Sequence, residues 1–154
     1  MRNRVFRDRH GRGQRGVLLP PAVPAAVSRA TAFHRLVAQT YLSLTEAYRD
    51  NVSGLAVAVD WIPRMRLNPD EVYFADTIVA DGAVPIARLI PPSIDAQGNT
   101  VGAYIVVFRA PLVRRARDPQ LLVELLEPVL AQLIATYLNL DERDILPDFQ
   151  PWWN

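Results

Sequence analysis

Few residues in this chain combine the types and spacing that catalysis or metal binding requires. The two histidines, His10 and His34, are far apart, and no serine–histidine–aspartate arrangement can be built around His34. His34 flanks an apolar helical face and reads as a surface or capping histidine. Glu124 and Glu127 stand three apart in a helical stretch, so their carboxylates share a face. Such a pair could serve as acid and base, and on an open face it is simply solvated. The segment AQLIATYLNL, residues 131–140, places Gln132 and Thr136 four apart on one side of an apolar helix. Gly11–Arg12–Gly13 is not a phosphate loop, since no strand precedes it and no lysine follows. The chain has no cysteine, which removes disulfides and thiolate metal sites.

Charge is spread unevenly. All 17 basic residues are arginine. Six of them (Arg2, Arg4, Arg7, Arg9, Arg12 and Arg15) fall in the first 16 residues against a single Asp8, leaving 11 arginines and 15 carboxylates in the rest. The opening stretch has no periodicity and few apolar groups to offset ordering entropy, so a mobile arm is expected. It could contact nucleic acid or an acidic partner electrostatically, or remain a solvated tail. VLLPPAVP, residues 17–24, follows as an extended linker, because successive prolines exclude helix and sheet.

At 154 residues with 50% hydrophobic composition, the remainder is long enough for one domain with a real core. No uninterrupted run of about 18 apolar residues occurs and the basic N-terminus lacks a signal-type apolar stretch, so a cytoplasmic protein with no membrane span is expected.

The elements that must position these residues follow from periodicity. Phe33, Leu36, Val37, Tyr41, Leu44 and Tyr48 recur at three- and four-residue spacing and predict a helix over 29–50, capped by Ser28 or Thr31 and ended by DNVSG with Gly54 available for a left-handed turn. GLAVAVDWI (54–62) and VPIARLIPP (84–92) predict strands, with a long irregular segment at 63–83 between them and a short turn or strand near Val72–Phe74. SIDAQGNT is turn chemistry. VGAYIVVFR (101–109) is nearly continuous in apolar residues and predicts a central strand. Asp118 as N-cap and Pro119 at the first position open a final helix through Leu140, with a kink or break expected near 124–128 from Pro128. Helix, strand, loop, two strands and helix describe an α+β fold: a small mixed or antiparallel sheet packed by two main helices. The domain is expected over 25–146, with 147–154 an aromatic tail.

Several stretches carry a resemblance: RDRHGRGQRGVLLPP at 7–21, GLAVAVDWIP at 54–63, IARLIPP at 86–92, IVVFRAPLVRRARD at 105–118 and YLNLDERDILPDF at 137–149. Together they resemble the minigluzincins, minimal zincin-like domains, and in particular their actinobacterial metallopeptidase-family branch. That resemblance implies a last helix bearing H-E-x-x-H, in which two histidines hold zinc and the glutamate polarises water. Aligned on YLNL at 137–140, the motif positions fall on Gln132, Leu133, Ile134, Ala135 and Thr136. Gln132 and Thr136 then stand for the histidines and Leu133 for the catalytic glutamate, with Glu142 or Asp144 as downstream carboxylates. The substitutions remove the chemistry, so no catalytic residue, no metal ligand and no cofactor is expected, only a small remnant cleft at Gln132, Leu133 and Thr136.

The resulting expectation is an inactive zincin-like domain that binds a protein or peptide. An extended segment would pair with an edge strand, either 101–109 or 84–90. The arginine arm and Phe149, Trp152 and Trp153 are the candidate partner-binding residues, unless the tryptophans fold back on their own core. A hydrolase with a non-standard metal site and a nucleic-acid-associated protein acting through the arm are the alternatives.

Overall fold

The computed structural model describes residues 28–65, 67, 70 and 75–153. The arm (1–16), the proline linker (17–24) and the turn or strand expected near Val72–Phe74 lie outside the described residues. The chain divides into two units, Met1–Phe33 and His34–Asn154. Of the first, residues 28–33 open helix α1 (Arg29–Thr45), where the Ser28 hydroxyl accepts the Thr31 N–H at 3.0 Å. That bond satisfies one of the free amides of the first turn.

The second unit holds the rest of α1 and then β1 (Leu55–Asp60), β2 (Ile78–Asp81), β3 (Val84–Ile90), β4 (Ser93–Ile94), β5 (Thr100–Val101), β6 (Ala103–Phe108), α2 (Arg109–Arg115), α3 (Pro119–Leu138) and α4 (Glu142–Ile145). The expected α+β class is therefore present: among the described residues are four helices, a four-stranded mixed sheet and a two-stranded antiparallel sheet.

The main sheet runs β1-β6-β3-β2. β6 pairs parallel with β1 and antiparallel with β3, and β2 closes the other side of β3 antiparallel. Because strand side chains alternate, Val59, Val107, Ala87 and Val79 share one row and face. Val79, Ala87, Ile105 and Val107 on that face are fully buried. α3 packs against β2 and β3, and α2 packs on β3 and α3. α1 reaches the sheet through Tyr41, whose hydroxyl donates to the Leu55 carbonyl at 3.1 Å. Two buried threonines on α1 are satisfied locally: Thr40 and Thr45 donate to the Leu36 and Tyr41 carbonyls, both at 2.8 Å.

Several expectations need correction. Strands 101–109 and 84–90 do not supply an edge, since β6 and β3 are paired on both sides. Among the described residues the edges are β1 and β2. β2 itself arises inside the stretch read as irregular, where only Ile78–Ala80 signal a strand. A tight hairpin makes so short a strand sufficient: Asp81 pairs with Val84 across Gly82, whose φ of 60° suits the first central position of a two-residue turn. A bulge between Val79 and Ala80 accommodates Pro85, which has no N–H to offer.

α1 ends at Thr45 and gives way to a 3-10 turn over Glu46–Tyr48, so the predicted helix was too long. Gly54 is not left-handed; among the described residues the glycines with positive φ are Gly82 and Gly98. Space is what limits Gly54, because a Cβ there would lie 3.2 Å from the Tyr137 hydroxyl. α2 was not anticipated: Ala110 and Leu112 are buried, and Pro111 sits in its first turn, where a missing N–H costs nothing.

α3 starts as expected, with the Asp118 carboxylate accepting the Leu121 N–H at 2.8 Å, and it runs through Pro128 as one helix. By length and composition, at 20 residues and mean hydropathy 1.6, it could cross a membrane. Glu124 and Glu127 interrupt its apolar run, and in this fold its second half is core. Asn139, in the left-handed region, ends it: the Leu140 N–H returns to the Ala135 carbonyl at 2.9 Å and the Asn139 N–H to that of Thr136.

Leu133→Ala should cost about 2–5 kcal/mol, as for a fully buried leucine, and Asp118→Ala about 1 kcal/mol from the lost cap. Urea denaturation of both variants checks the ranking, which reverses if α3 is peripheral.

Candidate functional site

Gln132 and Thr136 meet at a small polar cavity of about 260 Å³ on α3, lined also by Asp76, Ala135, Asn139, Leu140 and Glu142. Each lining residue is placed by a local rule. The i,i+4 spacing stacks Gln132 over Thr136. The left-handed Asn139 reverses the chain so that α4 returns beside the helix. The Asp141 carboxylate accepts the Arg143 N–H at 2.9 Å and the Asp144 carboxylate accepts the Asp141 N–H at 3.3 Å, fixing the start of α4 and hence Glu142. Asp144 therefore works as a cap, and only Glu142 of the two downstream carboxylates lines the cavity. Asp76 enters from the segment before β2, a contribution sequence reasoning missed because that segment carried no periodic signal.

The donor set does not fit the zinc site that the family resemblance implies. It offers two carboxylates, two amides and a hydroxyl, with no imidazole or thiolate. The Thr136 hydroxyl donates to the Gln132 carbonyl at 2.9 Å, with the Asp76 carbonyl at 3.5 Å as a longer alternative. Leu133 is fully buried and lies outside the cavity lining, so nothing at the motif's glutamate position can take a proton. Among the described residues no group of three or more His, Cys, Asp or Glu is close enough to hold a metal ion. His34 is exposed on α1. Glu124 is exposed and Glu127 half-buried on α3.

The aromatic tail folds back. The Trp152 indole N–H donates to the Leu125 carbonyl at 2.9 Å, and the Arg115 guanidinium lies 4.8 Å from its ring centroid. Arg115 also pairs with Asp81 at the β2–β3 turn. Trp153 sits edge-on to Trp152 at 5.5 Å and to Phe149 at 6.4 Å. The tail, α2, α3 and the hairpin are thus tied at one locus, while Phe149, Trp152 and Trp153 each stay half-buried. The six arginines of the arm lie outside the described residues.

On the sheet face away from the helices is a second concavity of about 370 Å³. Ala58, Val106 and Arg88 form one row across it, and Tyr104 and Ile90 are directly paired in the next. Asp60, Arg64, Met65 and Phe108 complete the groove. Beside it, β1 leaves one side unpaired among the described residues and runs into Trp61 and Ile62, 54% and 53% exposed. The continuous apolar character of 103–108 was the available signal, since a strand covered on one face alone would alternate. DWIP was another: large apolar groups just after a strand with nothing to cover them.

No family model matches the chain, and no curated protein matches it significantly.

Trp152→Phe removes the bond to the Leu125 carbonyl and should cost about 1–2 kcal/mol, read by urea denaturation; an unchanged midpoint would show that the tail is not anchored. Burial first, and Tyr137 second, push the Tyr41 phenol above its usual value. The folded state therefore holds this proton more tightly than the unfolded chain does. Its contribution is intact below the ordinary phenol pKa of about 10 and is lost as pH rises through the folded value. Stability measured from pH 9 to 11.5 should fall, and Tyr41→Phe should flatten that slope.

Proposed function

We propose that this chain is a catalytically inactive zincin-like domain that binds an extended peptide or protein segment along β1. The observation that carries the reading is the undefended edge of that strand. Exposed edges are normally blunted by proline, bulges, inward charges or extreme shortness, because their free N–H and C=O groups pair with any available chain. β2 follows this rule: it is four residues long, its pairing with β3 is broken by a bulge, and it is tied at Asp81 to Arg115. β1 is six residues of LAVAVD with its only charge at the end, in regular register with β6 throughout. Main-chain pairing along such an edge supplies affinity, and alternate side chains supply specificity. Trp61 and Ile62 extend the edge as apolar anchors, and Arg109 stacks on Trp61 at 5.0 Å from its centroid, holding the ring in place.

The inactive part of the reading rests on the cavity's donor set: amides, hydroxyl and carboxylates stand where the resemblance asks for two imidazoles, and a buried leucine stands for the general base.

Selection from a displayed peptide library, followed by hydrogen exchange with the best binder, tests the proposal. Amides of 55–62 should gain protection, and Trp61→Ala with Ile62→Ser should weaken binding at least tenfold while the melting temperature stays within a few degrees. Protection on a different surface, or no enriched peptide, would sink it.

A further inference from the structure

We propose that the groove on the open face of the sheet is a binding site for a small apolar monocarboxylate, with the carboxylate on Arg88 and the hydrocarbon body on Tyr104, Val106 and Phe108. Arg88 is the residue that sets the chemistry. It projects from β3, in the third strand from the open edge, in the row of Val106 and Ala58. Arg88 is half-buried as a residue, and its side-chain partner is the Met65 thioether at 3.8 Å, a weak and neutral acceptor. No carboxylate among the described residues lies within ion-pair distance of it. A cation set in apolar surroundings without a counter-charge favours an anion, and the planar guanidinium fork matches a carboxylate in two-point geometry.

Among the described residues the one carboxylate lining the groove, Asp60, is already engaged. Asp60 accepts the Trp61 N–H at 2.7 Å and pairs with Arg64 at 3.7 Å. Register places it opposite Phe108, one row further along and two strands across from Arg88, so it does not compete for that guanidinium. The floor between them is apolar and aromatic, and alanine at position 58 leaves the β1 side open. A volume of about 370 Å³ lies at the lower end of the range for small-ligand sites, which favours a short chain or single ring over a large cofactor. The polar cavity on α3 has the opposite character, with carboxylates and no cation. This site is separate from the edge of β1 and does not depend on peptide binding there.

Octanoate, 1-octanol and octylamine separate charge from hydrophobicity at constant chain length. Titrated calorimetrically into the full chain, octanoate should bind at least tenfold more tightly than octanol, with octylamine weakest. Arg88→Met keeps the apolar stem and should reduce octanoate to the affinity of octanol; Arg88→Lys should recover part of the difference. The Trp61→Ala, Ile62→Ser double variant should leave octanoate binding unchanged, so failure at the edge and failure at the groove are told apart. Equal binding of octanoate and octanol, octanoate affinity unaffected by Arg88→Met, or no binding at millimolar concentration would each overturn the proposal.

Discussion

The fold is organised around the need to bury one helix on nearly every side. In α3, Val129, Leu130 and Ala131 and then Leu133, Ile134 and Ala135 are runs of consecutive residues at 0–1% exposure. Neighbours in a helix point 100° apart, so such runs cannot be covered by one partner surface. β2 and β3, α2 and α4 all contact this helix. The direction taken by Gln132 and Thr136 falls between the buried arcs, and there a polar cavity opens. Its location thus follows from packing: two polar residues occupy the one direction that the covering elements leave uncovered.

Pro128 sets the second constraint on this helix. It removes the N–H that would bond the Glu124 carbonyl, at a cost of roughly 3 kcal/mol in a regular helix. The helix nonetheless continues, because Pro128 is buried within the packed region. The next carbonyl, that of Leu125, receives the Trp152 indole. The same indole carries Arg115, and Arg115 carries Asp81. A tail that in sequence could serve either as an interaction surface or as a cover for its own core is here part of the domain's own cohesion, with its remaining aromatic area still open to water.

Much of this fold was legible because the deciding information was local. Ser28, Asp118 and Pro119 announce helix starts through chemistry confined to one turn, and both starts are where those residues put them. The three longer strands follow from β-branched runs. What escaped were elements defined by pairing. β2 has too few residues for a pattern and exists because Gly82 turns it onto β3. The edges of the sheet could not be read, since a continuous apolar run marks a strand with two apolar faces but not which neighbours flank it. The site divides in the same way: Gln132 and Thr136 were visible as a helical pair, whereas Asp76 and Arg88 become meaningful only when distant segments are brought together.

The parallel pairing of β1 with β6 has a kinetic consequence. Leu55 is matched to Ala103, so β1 meets its partner among the described strands only across the stretch of chain that holds the β2–β3 hairpin and the short β4–β5 ribbon. Those two antiparallel units are local and can form quickly; closing β1 onto β6 is a long-range step and carries a larger loop entropy. During that interval LAVAVD is unpaired on both sides rather than one, and it is the segment through which a partly folded chain would most readily associate with its own kind.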